Sequence, residues 1–216
     1  MRNFVTYEWL TVFCIFGLAL VAIAKSLFSL RFNDFLLVIG NSKYLKIYSR
    51  DQKFIDSFDS LLFANMVIAT SMFIYFVYQA FVGPLDFEII WFLKLLFATS
   101  TIFLIKILIE RLIGSLFSVD GLVDSYLFQK TTYKNFSGIV LMGFNILLLY
   151  GIKSTKVIII SILILICLIN TIGFITSFKN HQKLLISHFF YFLLYLCALE
   201  IGPYILLYKV IKEYNA

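Results

Sequence analysis

The stretch "KVIIISILILICLINTIGFITSF", residues 156–178, carries one charge, at its first position. A run of about 20 mostly apolar residues is the length of a membrane-spanning helix. The chain holds six such runs, at 9–28, 60–82, 87–109, 136–152, 156–178 and 184–208. The fourth, "FSGIVLMGFNILLLYGI", is the shortest and forms a hairpin with the fifth through "GIKSTK". An open strand edge in lipid would leave backbone groups without partners, so all six are read as helices. Composition agrees: 62% of the 216 residues are hydrophobic and 14% charged, whereas a soluble domain is about half apolar and a quarter charged. The predicted fold is all-α, a single polytopic bundle of about six spans filling residues 1–216.

Two features of the first span bear on its fate. "LALVAIAKS" contains Ala22-Ile23-Ala24, the small-residue pattern of a signal-peptidase site. The preceding "MRNFVTYE" is barely basic, however, and cleavage would place the most basic loop outside. A retained helix is expected. Cys14, Cys167 and Cys197 lie in apolar runs without metal-ligand spacing and read as small hydrophobes.

Orientation follows from Lys and Arg in the loops. One side gathers Lys25, Arg31, Lys43, Lys46, Arg50, Lys53, Lys106, Arg111, Lys130, Lys134, Lys179 and Lys183. The other gathers Arg2, Lys153, Lys156, Lys209 and Lys212. About twelve cations against five make the first side cytoplasmic and both termini external. The two long loops on that side, "RFNDFLLVIGNSKYLKIYSRDQKF" and "RLIGSLFSVDGLVDSYLFQKTTYKNF", alternate apolar and basic residues. Phe32, Phe35, Leu36 and Ile39 keep helical spacing before Gly40-Asn41, and Tyr44, Leu45, Ile47 and Tyr48 follow. Leu122, Val123, Tyr126 and Leu127 repeat the theme. Both loops are read as short amphipathic helices in the headgroup layer, with aromatics at the interface and cations toward anionic lipid.

Charges within spans usually face the bundle and pair. Counting along the helices places Lys94 about 10 Å and Glu200 about 13 Å below the same outer boundary. They are therefore read as an intramembrane ion pair, with Gly202-Pro203 kinking the last span beside the carboxylate. Asn65, Thr70, Thr99, Thr101, Asn145 and Asn170, with neighbouring Ser100 and Thr171, read as interhelical hydrogen-bonding groups. Asp120 and Asp124, four apart, and His181 and His188, seven apart, form the weak candidate for an interfacial catalytic or metal cluster. No phosphate-binding glycine loop, HExxH or GxSxG occurs.

Three stretches together, "KSLFSLRFNDFLLVIGNSKYLKIYSRDQKF", "IKILIERLIGSLF" and "LYLCALEIGPYILLYKVI", resemble an uncharacterised family of small multi-pass inner-membrane proteins from Bacteroidota, a domain of unknown function. The most specific part is "LEIxPxxxLYK", carried by Leu199, Glu200, Ile201, Pro203, Leu207, Tyr208 and Lys209. The resemblance implies a multi-pass inner-membrane protein and supplies no activity. The expected role is a non-enzymatic subunit or scaffold of a cell-envelope assembly, partnered by anionic headgroups and other membrane or envelope proteins. No cofactor, metal or nucleic acid is expected. The alternatives are a small proton- or ion-coupled transporter using Glu200 and Lys94, and an enzyme acting on a lipid or polyprenyl substrate.

Overall fold

Asp56 begins the most deeply packed helix. Its carboxylate accepts a hydrogen bond from the Phe58 amide at 3.1 Å, satisfying one of the free N–H groups of the first turn. The helix then runs through residues apolar on every side, the pattern of a helix surrounded by protein. In the computed structural model, which describes residues 8–40, 43–49, 56–83, 87–116, 120–151 and 155–180, this helix is α4 (Ser57–Phe81). Among the described residues all regular structure is helical. The other elements are α1 (Glu8–Leu27), α2 (Ser29–Leu36), α3 (Lys43–Tyr48), α5 (Ile89–Leu116), α6 (Asp120–Ile146), a π-helical turn at Leu147–Gly151 that continues α6, and α7 (Lys156–Asn180). Among the described residues five helices are long and apolar enough to cross a membrane: α1, α4, α5, α6 with its π turn, and α7. The expected sixth span, 184–208, lies outside the described residues.

The bundle is built around α4 and α6, which run parallel and in contact. Asn135 Nδ2 donates to the Asp59 carbonyl at 3.4 Å and Asn145 Nδ2 to the Ala69 carbonyl at 2.8 Å, so both helices advance together. Between those bonds Gly138 lets the backbones meet, because a Cβ there would lie 2.7 Å from Met66 Cα. α1 packs antiparallel on α4 through Leu10, Cys14, Gly17 and Ala24, the alternating three- and four-residue spacing of a left-handed crossing. α5 and α7 pack on the flanks of α6, the latter placing Gly173 against the Tyr133 ring.

The short helices α2 and α3 fold over one end of the bundle, here termed the cap end. Phe32, Phe35, Val38, Tyr44 and Leu45 are buried there with Phe58, Leu62, Phe128 and Tyr133. Phe35 meets Phe58 and Tyr44 edge-on, and Tyr44 stacks on Phe128. Each such ring contact contributes about 0.5–1.5 kcal/mol beyond area burial. The Tyr133 hydroxyl donates to the Val38 carbonyl at 3.2 Å and fastens the cap to α6.

Two sequence expectations are corrected here. The cap aromatics Phe32, Phe35 and Tyr44 face the protein's own bundle, and the apolar side chains left outside are Leu27, Leu30, Leu36, Leu37, Ile39 and Ile47. Among the described residues the second loop holds no separate amphipathic helix: α5 continues to Leu116, and α6 begins at Asp120 and runs unbroken into the fourth span, expected only from residue 136. Its polar first half is usable because α4 and α5 supply partners for it.

Candidate functional site

The cap end concentrates the charged chemistry. Arg31, on α2, donates through one terminal nitrogen to Asp56, through the other to Asp59 Oδ2 at 2.9 Å, and through Nε to the Tyr44 hydroxyl at 3.3 Å. Its guanidinium also lies 5.0 Å from the Tyr48 ring centre and 4.6 Å from that of Phe58. A planar fork of donors suits two carboxylates and flanking rings, which a lysine could not serve. Burial works against the guanidinium charge, but the Tyr44 and carboxylate oxygens outweigh it and hold the group more firmly protonated than usual. Burial also pushes the Tyr44 phenol up, so it remains a neutral hydroxyl. The cluster ties α2 and α3 to the first turn of α4, and a cation already held by two acids is not free to bind an anionic substrate.

A second pair is buried more deeply. Lys130 Nζ of α6 lies 2.6 Å from Glu110 Oε1 of α5, and the Glu110 side chain is only 1% exposed. Glu110 is about 31 Å along α5 from Ile89, close to the thickness of a hydrocarbon layer. The pair therefore belongs near the cap-side edge of the apolar zone. Lys43 with Asp34 and Arg111 with Asp124 are solvent-accessible pairs that contribute little.

The remaining sequence candidates divide into three groups. Ser71 and Thr99 share a hydrogen bond of 2.8 Å between α4 and α5, and Asn145 bonds across to α4. Thr70, Thr101 and Asn170 instead bond to carbonyls of their own helices, those of Met66, Phe97 and Ile166, as do the exposed hydroxyls of Ser161 and Thr171. Such back-bonding lets a polar side chain face lipid without an unmet donor. Asn65 is fully buried between α1, α4 and α6 and makes no side-chain hydrogen bond. Asp120 is exposed at the start of α6, and Asp124 is held by Arg111. Lys94 is exposed on α5. Its suggested partner Glu200, with Gly202, Pro203, His181 and His188, lies outside the described residues. Among the described residues no group of three or more His, Cys, Asp or Glu is placed to hold a metal ion.

Sequence reasoning did not single out Arg31, Asp56, Asp59, Glu110 or Lys130. One signal was present: Asp56-x-x-Asp59 opens an apolar run as a helix cap does. The ion pairs themselves join residues 20 to 28 positions apart and leave no local trace.

Among the described residues, a helical bundle with five helices of membrane-crossing length, and with the Arg31 and Lys130 ion pairs drawn into it at one end, defines the class. Within it, the chain belongs to the family described as "Domain of unknown function (DUF4271)", matched over residues 10–211. No curated protein and no solved structure matches the chain.

Proposed function

We propose that the protein is a non-enzymatic, multi-pass subunit or scaffold of a bacterial cell-envelope assembly, resident in the inner membrane with its cap end cytoplasmic and both termini periplasmic. The observation that carries this reading is how the charges are used. Arg31 with Asp56 and Asp59, and Glu110 with Lys130, hold helices to one another instead of converging on a reactive group. The wide apolar faces of α1, α5 and α7 stay available to lipid or neighbouring subunits. Exposed Leu30 and Leu37, together with exposed Lys25 and Lys46, suit a cap resting on an anionic leaflet.

In this reading the span 184–208 covers the Lys94 side of α5, and Glu200 pairs with Lys94 next to the Gly202-Pro203 kink. The similar depths counted along the sequence, about 10 and 13 Å, support that pairing. The test is purification of the full chain from native membranes in mild detergent. Stoichiometric membrane or envelope partners are expected, and Glu200→Gln is expected to reduce the amount recovered, with Lys94→Glu/Glu200→Lys restoring it. A lone monomer under these conditions would overturn the scaffold reading.

A further inference from the structure

Contacts between the helices fix which residues share a level across the bundle. Asn135 meets Asp59 and Asn145 meets Ala69, so α4 and α6 advance in step. Glu110 meets Lys130 across antiparallel α5 and α6, and one turn further into the bundle Lys106 is therefore level with Lys134. Gly17 of α1 stands beside Asn65 of antiparallel α4. Lys25 is as far past Gly17 as Ser57 is before Asn65, so it is level with Ser57, and through the α4–α6 register with Tyr133. Three cations on three helices thus share one level near the cap.

The same register places a second set at the far end. Trp9 of α1 and Trp91 of α5 both fall level with Leu149. Lys156 of α7, counted from the contact of Gly173 with Tyr133, falls level with Tyr150. The Tyr150 hydroxyl bonds to Thr11 of α1 at 2.7 Å, in keeping with that register. Trp and Tyr favour the boundary between headgroups and hydrocarbon. From Lys134 to Leu149 is about 23 Å along α6, and snorkelling lysine arms carry their charge on toward the edge of an apolar layer about 30 Å thick. Among the described residues the helices between these levels carry one further charge, Lys94, while Asp59 lies at the lysine level and is held by Arg31.

We infer that Lys25, Lys106 and Lys134 form a collar that binds the phosphates of anionic lipids in the cap-side leaflet. The collar presupposes the membrane reading proposed above and is the surface through which the bundle itself meets the headgroups. An ammonium offers three donors to phosphate oxygens, and cations at this level are drawn to an anionic leaflet. Lys25 is exposed and Lys106 and Lys134 are half-buried, so all three reach the surface of the bundle. The Lys134 ammonium lies 5.2 Å from the Phe103 ring centre, which holds its charge against α5. Glu110, the one carboxylate on α5, is held at 2.6 Å by Lys130 on the cap side of the collar.

The full chain is reconstituted in phosphatidylcholine bilayers, and spin-labelled phosphatidylglycerol and phosphatidylcholine are compared for binding at the protein surface. Wild type is expected to hold phosphatidylglycerol several-fold more strongly, and Lys25→Gln/Lys106→Gln/Lys134→Gln to bring the two lipids near parity. A preference that survives the triple change, or that Lys46→Gln on the cap removes equally, would overturn the collar while leaving the protein in its membrane. Position is read separately, with every lysine kept. Protein with Cys14, Cys167 and Cys197 replaced carries one spin label, at Phe97→Cys, Ile102→Cys or Leu116→Cys, all exposed on α5. Oxygen is expected to reach the first two, and a water-soluble nickel complex the third. Nickel failing to reach Leu116→Cys would put the boundary elsewhere and overturn the collar even if the triple variant does not fold. Nickel at all three would overturn membrane residence itself. None of these outcomes needs a co-purifying partner, so the scaffold role stands or falls separately.

Discussion

Replacing Lys130 with methionine is expected to cost about 3–5 kcal/mol, because it strips a buried carboxylate of its counter-charge. Glu110 is almost wholly enclosed, and Lys130 supplies its close cation at 2.6 Å. With the ammonium gone, Glu110 must take up a proton or draw water into the α5–α6 contact, and either response loosens that contact. The companion change tells the cause. Glu110→Gln/Lys130→Met removes both charges, and replacing a whole buried pair with neutral groups is often harmless. The double variant is therefore expected to recover most of the loss in thermal or denaturant unfolding in detergent. Losses that simply add, to within about 0.5 kcal/mol, would show that the two groups are not coupled.

The second large effect is steric. At Gly138 an added Cβ would stand 2.6 Å from Met66 Cβ and 2.7 Å from Met66 Cα. A side chain can swing away, but a backbone atom inside a helix cannot, so Gly138→Ala must push α4 and α6 apart. The bonds on either side, Asn135 to Asp59 and Asn145 to Ala69, stretch together. Overpacking of this kind costs about 1–3 kcal/mol, and more where relief is blocked. Gly143, one turn and a half further along α6, is the control: nothing lies within 4 Å of its added Cβ. Gly143→Ala is expected to be neutral or mildly stabilising, since alanine favours helix by up to about 1 kcal/mol. Equal melting shifts for the two variants would contradict the close approach at Gly138.

The contrast between these sites and the apolar spans shows what a single sequence reveals. The spans are legible because lipid imposes a length and an apolar composition on any helix it surrounds. The amino-terminal half of α6 was not, because "DGLVDSYLFQKTTYKNF" is polar and reads as a loop when each residue is judged against solvent or lipid. Its Lys130 and Asn135 are matched to Glu110 and to the Asp59 carbonyl, partners distant in sequence. The cap misled for a related reason. Phe32, Phe35 and Tyr44 have the spacing of a helix lying on a membrane, and the same spacing serves a helix lying on its own protein. Arg31 decides between the two, since its acids lie at the start of α4. Asn65, by contrast, was visible as a polar residue in a span, but only the structure shows that it is left without a protein partner.

The account rests on α4 crossing a membrane, with the cap at one end and the α4–α5 turn at the other. Cys14, Cys167 and Cys197 are replaced, a single cysteine is placed at exposed Lys46 or exposed Glu88, and whole cells are treated with a membrane-impermeant maleimide. Glu88→Cys is expected to react in intact cells, and Lys46→Cys only after the membrane is opened. Both positions reacting from the same side would contradict the spanning bundle.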